Sequence, residues 1–191
     1  FDGFYLFFIK KQPIAQRAYK VILTTFPYEF NASLMDAKIQ VQNATSNTGL
    51  NVVFNVLEDI DDISLSYSLA IEGEQPNNYT TMLSQKVEFC KFLQQRSIDG
   101  GLHKIYEDIL KQGTFIKTCP IKKGSIYSMN DYHVDEELLP QYVPETNFYV
   151  DIQMDKGAIG GGSVVLLMKG RLQGKIDKSK GFNNLKMFSM G

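Results

Sequence analysis

Between Asp62 and Glu72 the chain reads DISLSYSLAIE, with Ile63, Leu65, Tyr67, Leu69 and Ile71 alternating with Ser64, Ser66, Ser68 and Ala70. Successive side chains of a β-strand point to opposite sides, so this period of two predicts a strand with one apolar and one wet face. A strand with one face wet belongs in an antiparallel sheet covered on its other side. Asn147 to Met154 repeats the pattern, setting Phe148, Val150, Ile152 and Met154 against Tyr149, Asp151 and Gln153.

Weaker strand patterns run through 19–25, 34–41, 50–57, 82–92, 125–132 and 163–172. Strands in this number, with few helical segments between them, predict an all-β antiparallel sandwich or barrel. Asn47-Thr48-Gly49, Gly73 to Asn78, Lys123-Gly124 and Gly157 to Gly162 supply the turn residues between strands. One segment breaks the pattern. Leu102, Ile105, Tyr106, Ile109 and Leu110 fall at i, i+3, i+4, i+7 and i+8, which predicts an amphipathic helix. Asp99 or Gly100 is placed to start it, and Gly113 to stop it. The helix lies between Cys90 and Cys119.

With 191 residues, the chain is long enough for a single domain that buries roughly 70% of its unfolded surface. Residues 19–191 are read as that domain, and 1–18 as an apolar extension or edge strand, because Phe4, Leu6 and Phe8 alternate with Tyr5 and Phe7. The other reading of Phe1 to Ile9 is the tail of a signal peptide. A formal net charge of −1 argues against a nucleic-acid-binding face. No apolar run reaches the roughly 18 residues of a membrane-spanning helix. The two cysteines allow a bridge, a pair of buried thiols or half a metal site, and their wide spacing lacks the close ligand pair of a zinc centre. A bridge would contribute roughly 3 to 4 kcal/mol in the chain-entropy model. Sequons at Asn31, Asn43 and Asn78 fit a glycosylated, secreted chain.

Catalytic signals are sparse. His103 and His133 lie in no nucleophile motif, and the expectation is a protein that is not an enzyme and needs no cofactor or metal. His103 is expected on the charged side of the helix and His133 in a loop. The acidic run Glu58 to Asp62 lacks the spacing and central glycine of a calcium loop, and reads as a solvated loop. Gly157 to Gly162 joins two strands rather than a strand and a helix, which favours a hairpin connection over a phosphate loop. The basic residues from Lys169 to Lys180 read as a solvated strand end rather than a membrane-binding patch.

The segments Val87-Glu-Phe-Cys90-Lys-Phe-Leu93 and Thr118-Cys119-Pro120-Ile-Lys-Lys-Gly124, with Leu138-Leu-Pro140 and Val143-Pro144 beyond them, resemble the CheA-like secreted insect proteins of largely unknown function. That group is distantly similar to the ganglioside activator and the MD-2-related lipid-recognition (ML) domain. The resemblance covers roughly residues 19–168 and implies an immunoglobulin-like antiparallel β-sandwich in which a Cys90–Cys119 bridge clamps the helix to the sheets. Relatives carry further cysteines near the N-terminal strands; 30–42 here has none, so a less cross-linked sandwich is expected.

The resemblance further implies an apolar cup between splayed sheets, and a carrier or presenter of a lipid or other hydrophobic molecule. The expected lining is Leu65, Tyr67 and Leu69 from one strand and Phe148, Val150 and Ile152 from another, with Ile105 and Ile109 from the helix. The competing expectation is an extracellular interaction subunit of a membrane receptor, channel or adhesion assembly, recognised by an exposed apolar patch.

Overall fold

A computed structural model describes residues 19–44, 47–139, 142–157 and 162–178. The expected strand at 1–9 lies outside them, as do Lys180 and the middle of the glycine-rich segment. The strands are β1 (Lys20–Thr25), β2 (Tyr28–Phe30), β3 (Met35–Ala44), β4 (Asn47–Val56), β5 (Ser64–Glu72), β6 (Tyr79–Glu88), β7 (Gly113–Thr114), β8 (Ile126–Tyr132), β9 (Thr146–Lys156) and β10 (Val165–Asp177). Two α-helices, α1 (Phe89–Gln94) and α2 (Gly100–Gln112), lie between β6 and β7.

The strands form two antiparallel sheets packed as a sandwich. The first has the order β1-β10-β9-β5-β6, with β2 also pairing β10, and the second β3-β4-β8-β7. Inward residues of the second sheet meet directly across the strands: Met35 opposite Val56, Ala37 opposite Phe54, and Ile39 opposite Val52. All six are buried. They face Leu23, Leu167 and Met168 of the first sheet, which are 1%, 1% and 3% exposed. Tyr28 ties the layers polar-to-polar: its hydroxyl accepts from the Ile39 amide at 3.1 Å and donates to the Ala37 carbonyl at 3.4 Å.

One local expectation is corrected. The strand read over 82–92 ends at Glu88, and Phe89–Gln94 is helical, so Cys90 lies on a helix. Phe89, Phe92 and Leu93 sit at i, i+3 and i+4, which sends all three inward from a helix. The cysteines therefore flank one helix and reside partly on another. Gly113 does end α2, but with an extended backbone rather than a left-handed one. Its role is close approach: a Cβ there would collide with the Ser128 carbonyl and come within 3.0 Å of Met129.

Cys90 and Cys119 are bridged, with Cα atoms 5.7 Å apart. Beside the bridge an aromatic cluster closes one end of the core. Phe92 is fully buried, stacked on Phe89 at 5.8 Å and edge-on to Tyr106 of α2 at 5.6 Å. The Tyr106 hydroxyl donates to the Ile116 carbonyl at 2.7 Å, fixing the segment that leads to Cys119.

Candidate functional site

The alternation that opened the sequence reading has a physical outcome in β5. Its odd-numbered residues face inward and pair with the inward residues of β9: Leu65 with Met154, Tyr67 with Ile152, Leu69 with Val150, and Ile71 with Phe148. Six of the expected ligand-lining residues thus form one contiguous apolar strip. Phe148 belongs to the closed core at 8% exposure, while Leu65, Tyr67, Leu69, Val150 and Ile152 stay half-buried. Beyond them on the edge strand β6, the inward Leu83 is 42% exposed. The first sheet is therefore sealed around β1 and β10 and open towards β5 and β6.

Helix α2 approaches this open half at its N-terminus. Asp99 caps the helix through Oδ1, which accepts from the Leu102 amide at 2.9 Å, while Oδ2 accepts from the Tyr67 hydroxyl at 2.5 Å. One carboxylate thus starts the helix and anchors it to the strip. Burial, reinforced by the hydrogen bond to Asp99, pushes the Tyr67 phenol well above its usual range, so the hydroxyl remains a donor. Further along, Ile109 packs on the core but Ile105 is 42% exposed. The helix instead turns Asp108 inward, where its carboxylate accepts from the Tyr132 hydroxyl at 2.7 Å and from Gln112 at 3.2 Å. Hydrophobic spacing alone gave no signal for that buried acid.

One cavity between the sheets, bounded by Phe54, Ile63, Phe115 and Met154, amounts to about 20 Å³. That is less than one methylene chain needs, so apolar cargo would lie in the open half or part the sheets.

The remaining candidates, His103 apart, have ordinary partners. His133 follows β8, with Nδ1 3.0 Å from the Thr48 carbonyl and Nε2 3.1 Å from Asp131. His103 is half-buried, and its buried Nδ1 has no hydrogen-bond partner among the described residues. The acidic run folds against the segment after Cys119: Asp59 accepts from the Lys123 amide at 2.7 Å and lies 3.6 Å from Lys122, while Asp62 accepts from the Gly157 amide at 3.2 Å. The Lys123 amide is the main cause of a lowered Asp59 pKa. Among the described residues, no three His, Cys, Asp or Glu side chains converge as metal ligands. Gly157 adopts φ +83° at the start of the β9–β10 hairpin, a backbone that favours glycine. In the basic stretch, Lys169 pairs with Glu29 at 2.8 Å and Arg171 with Asp151 at 2.6 Å. The sequon Asn31 holds Ser33 in a local turn, its Oδ1 accepting from the amide at 3.1 Å and from the hydroxyl at 2.6 Å. Asn78 stands exposed in the β5–β6 turn, and the Asn43 side chain lies outside the described residues.

The fold and site define a disulfide-clamped, two-sheet antiparallel sandwich with one half of its apolar interior open. A family model described as a protein of unknown function, DUF1091, matches residues 64–150. That domain begins at β5, takes in both cysteines and α2, and ends within β9. No curated protein matches the chain.

Proposed function

We propose that this chain is a secreted, non-enzymatic binding protein for a lipid or other hydrophobic ligand, held along the inward strip of β5 and β9 beneath the start of α2. The observation that carries this reading is the asymmetry of the first sheet. Leu65, Tyr67 and Leu69 remain half-exposed on its inward face, whereas Leu23 and Leu167 on the same sheet are 1% exposed. An alkyl chain laid on such a strip gains about 0.8 kcal/mol per buried methylene and needs no catalytic group. The bridge, the three sequons and the resemblance to a secreted insect family distantly similar to lipid-recognition domains all support an extracellular carrier or presenter.

A second reading, an interaction subunit of a membrane receptor or similar assembly, is favoured by β6. This edge strand exposes Met82 at 59% and Leu83 at 42%, side by side. The two readings part in one experiment. Native mass spectrometry of protein purified without detergent, followed by titration with a fluorescent fatty acid, should give a one-to-one adduct. Leu69→Asp should weaken it at least tenfold. A protein without adduct, and with probe fluorescence unchanged up to 100 times its concentration, overturns ligand binding and leaves the interaction surface as the working reading.

A further inference from the structure

The opposite, outward face of the same sheet carries a second site. The register places Lys169 beside both Glu29 and Gln153, with Ser66 next to Gln153 on the far side. The adjacent outward row runs Arg171, Asp151, Ser68 and Ser84. Between the two rows lies an open groove of about 570 Å³ whose floor is formed by the strands themselves. It exists because β5 and β6 contribute serines where larger outward side chains would fill it. The groove crosses five strands, a span of ~19 Å at the usual strand spacing.

The chemistry of the groove is unlike that of the apolar strip behind it. Its four charged side chains cancel in pairs: Lys169 with Glu29 at 2.8 Å, and Arg171 with Asp151 through two bonds of 2.6 and 2.8 Å. The bond to Asp151 is the main reason the Arg171 pKa is raised. An anion entering here must compete with a carboxylate already bound to each cation, so the groove does not select for negative charge. Arg171 also covers one face of Tyr149 at 3.9 Å, and Tyr79 lies 4.9 Å from the same ring. The planar ion pair is thereby held rigid at one end. Among the described residues, the hydroxyls of Ser66, Ser68 and Ser84 have no protein partner. Each is both donor and acceptor.

A trough whose four lining charges are paired, with fixed donors, fixed acceptors and free hydroxyls, is complementary to a molecule that presents donors and acceptors in equal number along its length. We infer that this outward groove is a binding site for a neutral oligosaccharide, with the Arg171–Asp151 pair and Gln153 engaging ring hydroxyls and the serine floor admitting the sugar chain. The site is separate from the hydrophobic strip and does not depend on it.

The test is a glycan array carrying neutral, sulfated and sialylated oligosaccharides, probed with the full chain, followed by amide chemical-shift mapping with the best-retained glycan. Neutral glycans are expected to be retained, with shifts at Ser66, Ser68, Gln153 and Arg171. Ser68→Leu, which fills the floor from a solvent-facing position, should reduce retention at least tenfold at an unchanged melting temperature. Ser84→Leu on the edge strand provides the same test if the first variant does not fold. Retention of sulfated or sialylated glycans alone, retention of none, or undiminished retention by the folded floor-filling variant overturns the assignment.

Discussion

Removing the Cys90–Cys119 bridge by Cys90→Ala/Cys119→Ala opens a loop of sequence separation 29 that contains all of α2. For a loop of this size the chain-entropy relation gives about 12 cal/mol/K, or about 3.6 kcal/mol at 25 °C. Little should be lost in the folded state itself. Both cysteines are half-buried, and Phe92, Phe89 and Tyr106 hold α1 against α2 without help from the sulfurs. The effect should therefore fall on the unfolded chain. With an m-value of about 2 to 3 kcal/mol/M, the urea midpoint should drop by about 1.2 to 1.8 M with the slope nearly unchanged. Equilibrium urea denaturation followed by circular dichroism measures both, and the native amide spectrum should stay close to that of the bridged protein. A midpoint shift below about 0.3 M would refute the loop-closure argument. A collapsed native spectrum would refute the claim that the aromatic cluster holds the two helices by itself.

Two further outcomes follow from the buried side chains. Phe92→Ala empties a fully buried site stacked on Phe89 and edge-on to Tyr106, and should cost about 3 to 5 kcal/mol in the same denaturation assay; a loss under 1 kcal/mol would contradict the packing described. Tyr132 donates to the buried Asp108 at 2.7 Å, and burial, followed by that hydrogen bond, raises its pKa. A raised pKa means that the stabilisation is complete below the unfolded value of about 10 and is lost as pH climbs towards the folded one. Melting temperatures measured from pH 8 to 11.5 should fall more steeply in the wild type than in Tyr132→Phe, and parallel curves would count against the coupling.

The parts of this fold legible in the sequence are those where water lies on one side of a strand. β5 and β9 announce themselves because each has an apolar face and a polar face, and the turns around them carry glycine or asparagine where backbone angles demand it. The boundary at Glu88–Phe89 was hidden by a coincidence of spacing. Val87 and Phe89 continue the alternation of β6 while Phe89, Phe92 and Leu93 already keep helical time, and that second period was the available signal. β2 and β7, at three and two residues, are too short for any period. Asp108 was unreadable for another reason: its burial is settled by Tyr132, 24 positions away. The outward groove has the same origin. Glu29, Ser66, Ser84, Asp151 and Lys169 come together only through the register of five strands, which no local pattern encodes.

That register also makes the two proposed sites separable. On β5 the strip uses Leu65, Tyr67 and Leu69, and the groove uses Ser66 and Ser68, so one strand supplies both faces in alternation. A slip of one residue would put leucines in the groove and serines against the core, and it would break Leu65–Met154 and Ser68–Asp151 together. The pattern DISLSYSLAIE is therefore constrained twice. Its odd positions must be apolar to pack against the core, and Ser66 and Ser68 must be small to leave the groove open. Core packing alone asks only that these two half-buried positions be polar, and lysine, glutamate or threonine would satisfy it. Serine at both Ser66 and Ser68 is smaller than that demand requires, and the space the two leave on the outward face is what the groove needs. Leu69→Asp and Ser68→Leu are adjacent in the chain and act on opposite faces. If the sheet carries two sites, each substitution should abolish one binding activity and spare the other.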